Sequence, residues 1–532
     1  MLKVDAYKNW QVMLLILIIL LPLYTINLGV NSLWDLDEGV YSEMSREMLL
    51  RNDYINTYYN YSARFDKPPL VLWVTAFFYS ILGVSELTTR IGLVIFSMLN
   101  LVVLYYFAKM LFNRKTAIIS TLILGTSFQY VIQSRILYMD VPLTLFITLS
   151  VLLFYIGYNK DRRYYLLMGI VLALGTLVKG PVAFGLPGLI ALFYVGIINL
   201  FKEFKSKWTW LSVLVYLIFA LPWHIAVYLS HGNEFLRDYF GYHMLTRFST
   251  AIETHGGPWY YYISILFLGL FPWSSFIPWL FPMIKRTWED NKDKYRLIIS
   301  WITVVFVFFS IASTKLPGYI LPTYPAFAIL IGLWWDRLLK TGEGIRKFLI
   351  SNIVILIIGL LMLVGLYYIR PMVENELNEY LEVLDILIYF PIIFIIGGIL
   401  SFSVNIWKEN KIRSFITYLG IAYIAIAIII SIVLPLVDQF KPAKNLANYL
   451  PENLSEEVRV VSALDMEPAS IVFYSKRKVN YITDKNRLRE FLNTNDQVYV
   501  YMDRQDYLDV KDYVEPIVIV NKYKDMLVIK NF

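Results

Sequence analysis

No cysteine occurs in the 532 residues, which excludes disulfides and thiolate metal sites and removes one clue to the redox compartment. Charge is scarce too. Asp, Glu, Lys and Arg together make up 17%, against roughly 25% in ordinary globular domains. Hydrophobic residues reach 58%, and apolar runs of about 18 residues or more recur, each long enough to cross a bilayer. A string of soluble domains is therefore excluded. The formal charge of +7 does not point to nucleic acid. Its basic residues stand in short clusters between apolar runs, as the cytoplasmic loops of a membrane protein do. Also missing are a soluble-type internal repeat, a low-complexity linker and a small-residue cleavage site after the first apolar run. That run, Val12 to about Val30 behind Lys3 and Lys8, reads as an uncleaved first span.

What is present is organised around Ser32–Pro69, a polar stretch dense in carboxylates and tyrosines. Between Asp37 and Arg51, Val40, Met44 and Met48 fall four apart, while Ser42, Glu43, Arg46, Glu47 and Arg51 cover the rest. That spacing predicts an amphipathic helix in a membrane interface. Asp35 can cap its start, with Glu38 as the capping-box partner, and Asp37 is then spare for chemistry. Equally, all three acids suit a helix start through the dipole alone.

The segment from Pro69 to Leu82 is short for a span and is read as re-entrant or interfacial. With it held to one side, spans are expected near 11–30, 87–110, 116–134, 141–158, 164–179, 181–200, 209–229, 259–283, 297–314, 319–335, 348–369, 385–406 and 414–435. Every basic cluster, from Lys109/Arg114/Lys115 to Lys408/Lys411/Arg413, then falls on one side. The expectation is a polytopic α-helical membrane protein of about thirteen spans, with the N-terminus cytoplasmic and the C-terminus outside. Residues 1–440 form the membrane domain, with a first outer loop at 31–69 continuing to 86. Residues 441–532 alternate β-rich runs (Val458–Val461, Ile471–Tyr474, Gln497–Tyr501, Ile517–Val520, Met526–Ile529) with helical patterns (Pro442–Leu450, Lys485–Leu492). They read as a small extracytoplasmic α/β domain.

In this topology the unusual polar residues collect on the outer face. Asp37, Glu38, Glu43, Asp66 and Lys67 lie in the first loop, where Pro68 and Pro69 fix the exit of the chain. Asp140 and Arg135 lie at the end of the third span, and Lys179 tops the fifth. The loop Ser230–Pro258 carries His231, His243, Arg247 and His255, and Lys315 and Tyr319 join the ninth and tenth spans. Ionisable groups near a membrane face suggest function, although Arg135 and Lys179 are also long enough to snorkel to headgroups. His231 and His255 read as solvated. Asp140, with no adjacent base, needs a partner from elsewhere.

Acids and cations around a lipid-level cavity suit displacement of a phosphate from a sugar's anomeric carbon. The leaving phosphate is a weak base and needs no general acid, but it does need cations or a metal to take up its charge. An incoming hydroxyl needs a carboxylate to accept its proton. Lys67, Arg247 and Lys315 could serve the first need, and Asp37 or Asp140 the second. Carboxylates with His243 could instead hold a divalent metal acting as a Lewis acid.

The segments DEGVYSEMSREML, RFDKPPLVLW, SRILYMDVP, LVKGPVAFGLPG, HMLTRF with HGGPWYYY, and STKLPGYILPTYPA follow in this order. Together they resemble the bacterial GT-C superfamily of membrane glycosyltransferases. That group includes the aminoarabinose transferase of lipid A and the protein O-mannosyltransferase-like enzymes, which draw sugars from polyprenyl phosphate. The resemblance covers about residues 10–440. It implies that Asp37 and Asp140 match the two acids those enzymes need. It also implies that Lys67, Lys315 and Tyr319 lie near the donor phosphate, and that Asp66 and His243 contribute to a metal or phosphate site. At Val40 the aminoarabinose enzyme commonly carries arginine, which loosens the assignment of donor and acceptor and leaves the reaction type untouched.

The function expected is therefore that of an inverting glycosyltransferase in the plasma (inner) membrane. It would move a sugar from an undecaprenyl-phosphate-like donor to lipid A, a glycolipid or another envelope acceptor at the outer face. A protein O-mannosyltransferase differs only in acceptor. A flippase for lipid-linked sugars is the rival of another class, but transporters show inverted repeats and mid-span ionisable residues, whereas these acids cluster at one face. A ligand-binding receptor would leave Asp37, Lys67 and Asp140 without a role.

Overall fold

Apolar runs in a bilayer satisfy their backbone groups internally and so become helices. The computed structural model describes residues 7–35, 37–250, 256–376, 380–408, 411–448, 450, 459–463, 469–494, 496–511, 517–523 and 526–531. Two compact units divide the chain. The first takes Met1–Leu28, Phe65–Val71 and Gly92–Leu434, and the second Gly29–Arg64, Leu72–Ile91 and Pro435–Phe532.

Among the described residues, eight helices are long and apolar enough to cross a membrane, and Asn9–Thr25, Leu70–Leu82, Tyr164–Lys179 and Val182–Val195 are shorter apolar helices. Two expected spans are broken. Residues 116–134 form Arg114–Gly125 and Phe128–Gln133, with Thr126 and Ser127 turning their hydroxyls back onto Leu122 and Ile123 carbonyls at 2.6 and 2.7 Å. Residues 259–283 form Tyr261–Gly269, a 3-10 stretch Trp273–Trp279 and Leu280–Arg286. Pro272, Pro278 and Pro282 remove the donors that a continuous helix would use there. On Ile345–Glu376, Leu360, Leu361, Val364, Tyr367 and Tyr368 are all exposed, an apolar surface that lipid covers. The chain is a multi-pass membrane protein.

In the first unit, Asp140–Asn159, Tyr164–Lys179 and Lys207–His231 pack side by side, and Tyr324–Thr341 packs along Arg114–Gly125. Arg135 does not snorkel. It is buried, and its guanidinium donates to the carbonyls of Leu23, at 3.0 Å, and Ile26, which end the Asn9–Thr25 helix. Cations suit that end of a helix dipole.

The second unit holds the helix Asp37–Arg51 and a hairpin of β1 (Tyr58–Tyr59) and β2 (Ser62–Ala63). Its sheet is built from β3 (Arg459–Ala463), β4 (Val479–Ile482), β5 (Val498–Asp503), β6 (Val518–Tyr523) and β7 (Met526–Lys530), in the order β4-β3-β5-β7-β6. The pairs β3–β4 and β3–β5 are parallel, and β5–β7 and β6–β7 antiparallel. Period-two alternation sends Val461, Val500 and Met502 to one core, with Leu488 and Leu492. Val460, Tyr499 and Tyr501 go to the other, with Leu446 and Ile471. The run Ile471–Tyr474, expected as a strand, is the helix Ser470–Ser475. Short apolar runs carry no decisive period, and this one is wedged against Asp37–Arg51. A Cβ on Gly39 would come within 2.7 Å of the Ser470 nitrogen.

The helix expected at a membrane interface is buried on nearly every side, Glu38, Glu43, Arg46 and Glu47 included. Its acids are satisfied by protein. Arg90 donates to both Glu38 oxygens at 2.8 and 2.9 Å, and to the Asn31 and Ser32 carbonyls at 2.9 and 3.0 Å. Arg46 forks onto Glu43 at 2.7 and 2.6 Å. Asp35 does not cap this helix. It accepts from the Ser470 N–H at 3.1 Å and from the Ser470 hydroxyl, while Glu38 takes the Trp34 N–H at 2.7 Å. Burial raises the Asp35 carboxyl above its ordinary range, against the pull of the Ser470 hydrogen bonds and Lys441.

Candidate active site

Within the first unit, a cavity of about 430 Å³ gathers residues far apart in sequence, among them Asp66, Lys67, Lys179, Tyr239, His243 and Tyr319. Its remaining wall is largely apolar, with Leu186, Leu189, Met244, Phe248, Phe308 and Phe309. The elements explain the placement. FDKPP enters the unit only over Phe65–Val71, bringing Asp66 and Lys67 on a proline-stiffened segment. Ser230–Pro258, read as a polar loop, is helical over much of its length. Asn233–Phe235 runs into a π-helical stretch Leu236–Thr246 and then Arg247–Ser249. The wide helix brings Tyr239, His243 and Met244 to the wall, and π-helical turns are frequent at functional sites.

Asp140 opens the helix Asp140–Asn159 and finds the partner it required. Lys179 Nζ donates to Asp140 Oδ1 at 2.5 Å, with each side chain 13% exposed. The same ammonium sits 4.4 Å from the centroid of the Tyr319 ring. Lys179, for which sequence alone left snorkelling open, is a cavity-lining cation, while Asp140 is not among the wall residues. Two glycines make this geometry possible. A Cβ on Gly318 would fall 2.5 Å from Asp140 Oδ2. Gly180, at φ +74, turns the chain after Lys179, where a Cβ would meet Tyr239 Oη at 2.8 Å.

Lys67 lines the cavity and donates to the Asp66 carbonyl at 3.1 Å. Lys315 does not line it. It is buried, and its ammonium donates to the Ser310 and Ala312 carbonyls at 3.1 and 2.6 Å, closing the end of the helix Trp288–Ile311. Arg247 lies in the chain just before the wall residue Phe248, and its side chain is outside the described residues, as is His255. His231 ends the helix Lys207–His231 and packs edge-on against Phe65 with centroids 4.8 Å apart. Asp37 belongs to the second unit. It is half-buried at the start of its helix, and Tyr41 Oη donates to its Oδ1 at 3.2 Å. Asp66 and His243 share the cavity wall, and among the described residues no group of three or more His, Asp or Glu side chains gathers as a metal site. Tyr239, Phe308 and Phe309 carried no sequence signal, because each sits in an ordinary apolar or aromatic run.

Residues 66–225 match the family model described as dolichyl-phosphate-mannose-protein mannosyltransferase. The undecaprenyl phosphate-alpha-4-amino-4-deoxy-L-arabinose arabinosyl transferase 2 of Pseudomonas fluorescens is 28% identical over 70% of this chain and 68% of its own length. The corresponding transferase of Photorhabdus laumondii is 27% identical over 91% of this chain and 87% of its own. The crystal structure of ArnT from Cupriavidus metallidurans bound to undecaprenyl phosphate superposes with a TM-score of 0.85, at 20% identity, over 99% of both chains. The chain thus has the fold of ArnT and is similar over most of its length to membrane glycosyltransferases.

Proposed function

We propose that this enzyme moves a sugar from a polyprenyl-phosphate donor to a cell-envelope acceptor at the outer face of the plasma membrane, with inversion at the anomeric carbon. The observation that carries the reading is the two-sided cavity. Lys67 and Lys179 supply charge for a phosphate monoester, and the wall of Leu189, Phe248, Phe308 and Phe309 suits an isoprenoid chain. The bacterial relatives named for undecaprenyl-phosphate sugars support the donor class.

In this reaction the acceptor hydroxyl attacks the anomeric carbon, the new C–O bond forms, and the bond to the phosphate oxygen breaks. The electron pair stays on polyprenyl phosphate, where Lys67 and Lys179 meet the charge as it develops. Asp140 is a positioning residue. Its carboxylate holds the Lys179 ammonium in place and under the Tyr319 ring. Asp37 takes the acceptor's proton. Its carboxylate accepts one hydrogen bond among the described residues, from Tyr41. Asp66 and His243 are the residues that would hold a divalent ion, whose charge would aid the leaving group. The N-terminus is cytoplasmic and the C-terminal region outside in this reading, as the basic clusters require.

The family description naming a protein acceptor favours a second reading, protein O-mannosylation. Mass spectrometry of lipids and surface glycans, from cells with and without this chain, separates the two. A sugar lost from a glycolipid supports the first reading, a sugar lost from proteins the second, and neither loss defeats both. A periplasm-only reporter fused after Phe532 should be active and one near Lys205 silent. The reverse result would put the 69–82 segment across the membrane and remove the outer-face site.

A further inference from the structure

The opposite ends of the same helices carry a second group of cavities. The helix Trp288–Ile311 contributes Phe308 and Phe309 to the candidate active site near its end and Lys294 to another cavity near its start. Lys294 and Phe309 are separated by about 22 Å at about 1.5 Å per residue. At this second end an open cavity of about 700 Å³ is walled by Leu280, Phe281, Ile299, Ile302, Phe327 and Leu330, with Lys285, Arg286 and Trp288 beside them. Arg286 also borders a cavity of about 170 Å³, which shares Arg337 and Glu343 with a polar one of about 410 Å³.

Charge and hydrogen bonding in these cavities are unbalanced in a particular way. Lys285, Arg286, Lys294, Arg337, Lys340 and Lys347 face three acids, Glu289, Asp336 and Glu343. Two of the cations are consumed locally. Arg286 pairs with Glu343, and Lys340 with Asp336 at 2.7 Å. Arg337, on the wall of both smaller cavities, is half-buried, and its guanidinium makes no hydrogen bond or ion pair among the described residues. Asp336 is 1% exposed. Its Oδ2 accepts from Asn113 at 2.8 Å and Thr116 at 3.0 Å, yet its Oδ1 has no donor among the described residues. A buried acceptor left without a donor is costly. The place therefore offers an apolar trough and spare positive charge.

We infer that this end of the first unit binds an anionic phospholipid, phosphatidylglycerol. Its acyl chains lie in the apolar cavity, and its phosphate lies on Arg337 with Lys294 and Lys347. The neighbouring cavities match that molecule part for part. A soluble phosphate ester would leave the trough uncovered, and a zwitterionic lipid would bring a second cation to a cationic wall. The site plays no part in the sugar transfer proposed above and stands whether or not that reading holds.

Native mass spectrometry of the full chain, released from detergent, tests the assignment. Dioleoyl phosphatidylglycerol, dioleoyl phosphatidylethanolamine and glycerol 3-phosphate are titrated separately and in competition. One phosphatidylglycerol should be retained at least about tenfold more tightly than phosphatidylethanolamine, and glycerol 3-phosphate should not displace it at equal concentration. Arg337→Glu should weaken the adduct by about tenfold or more, and the milder Arg337→Gln by less, while Lys205→Glu, away from these cavities, leaves it unchanged. Equal retention of the two lipids, full retention by both Arg337 variants, or displacement by glycerol 3-phosphate would each overturn the inference. The Gln variant keeps the test decisive should the Glu variant fail to fold.

Discussion

Glu38 with Arg90 in one unit, and Asp140 with Lys179 in the other, are both acid–cation pairs taken largely out of water. Around Arg90 the nitrogens are all used, by the two Glu38 oxygens and the carbonyls of Asn31 and Ser32, and Glu38 also holds the Trp34 N–H. Lys179 has three N–H bonds to give and, among the described residues, one acceptor, Asp140. The rest of it faces a cavity. A pair whose hydrogen-bonding capacity is filled by protein holds a fold together. A pair with capacity left over, beside an empty volume, is set up for a ligand.

The largest expected effect breaks the filled pair. Arg90→Ala leaves Glu38 buried without its partner, a loss of about 3–5 kcal/mol, and should lower the melting temperature more than any other change considered. If Glu38→Met/Arg90→Met melts no higher than Arg90→Ala alone, the cost is not that of an orphaned charge. Next comes Asp37→Asn, which preserves size and the bond from Tyr41. Turnover should fall about a hundredfold or more with the melting temperature unchanged. Near-normal transfer, beside an inactive Asp140→Asn, would move the base to Asp140.

Lys67→Ala and Lys179→Met should fold normally and lose roughly ten- to a hundredfold in turnover, as expected for a charge-stabilising group. Lys315→Met sharpens the contrast, since that ammonium closes a helix end. It should lower the melting temperature by several degrees and turnover by less than about tenfold. A larger loss of activity than of stability would return Lys315 to the phosphate site.

The smallest effect is a pH slope. Burial raises the carboxyls of Asp35 and of Glu43, with the Ser470 bonds and Arg46 respectively opposing. Each therefore binds its proton more readily folded than unfolded. Between the unfolded value, about 4, and the raised folded one, stability falls as pH rises. Asp35→Asn should flatten part of that fall in a melting series from pH 4 to 7. A slope identical to wild type would show that Asp35 keeps its ordinary affinity in the fold.

The apolar runs announced the helices, and Asp140 announced its need of a partner, because both follow from the cost of burying what is not satisfied. Lys179 was ambiguous by sequence since snorkelling and ligand binding use the same long side chain. Arg135, for which snorkelling was left open, and Lys315, expected near the donor phosphate, both meet helix-end carbonyls for a related reason. Helix-end carbonyls compete for cations as well as phosphates do, and nothing in the sequence says which one is nearer. Arg90 gave no signal beyond a single charge at the head of an apolar run. The broken segments 116–134 and 259–283 show the limit of counting spans, because hydropathy registers length and not Thr126, Ser127 or Pro272. The Ser470–Ser475 helix was unreadable in isolation, since its conformation depends on a neighbour very distant in the chain.

That distance has a consequence in time. Asp35 and Ser470 meet although 435 residues separate them, and Leu33 and Tyr474, joined at 2.7 Å, are as remote. At about 5–20 residues per second the ribosome needs about 20–90 s between one partner and the other. Throughout that interval the Asp37–Arg51 helix waits without the Ser470–Ser475 helix that it packs against. The apolar helices described above all precede Ser470 in the chain, so the segment bearing Asp37 becomes whole only after they have been made.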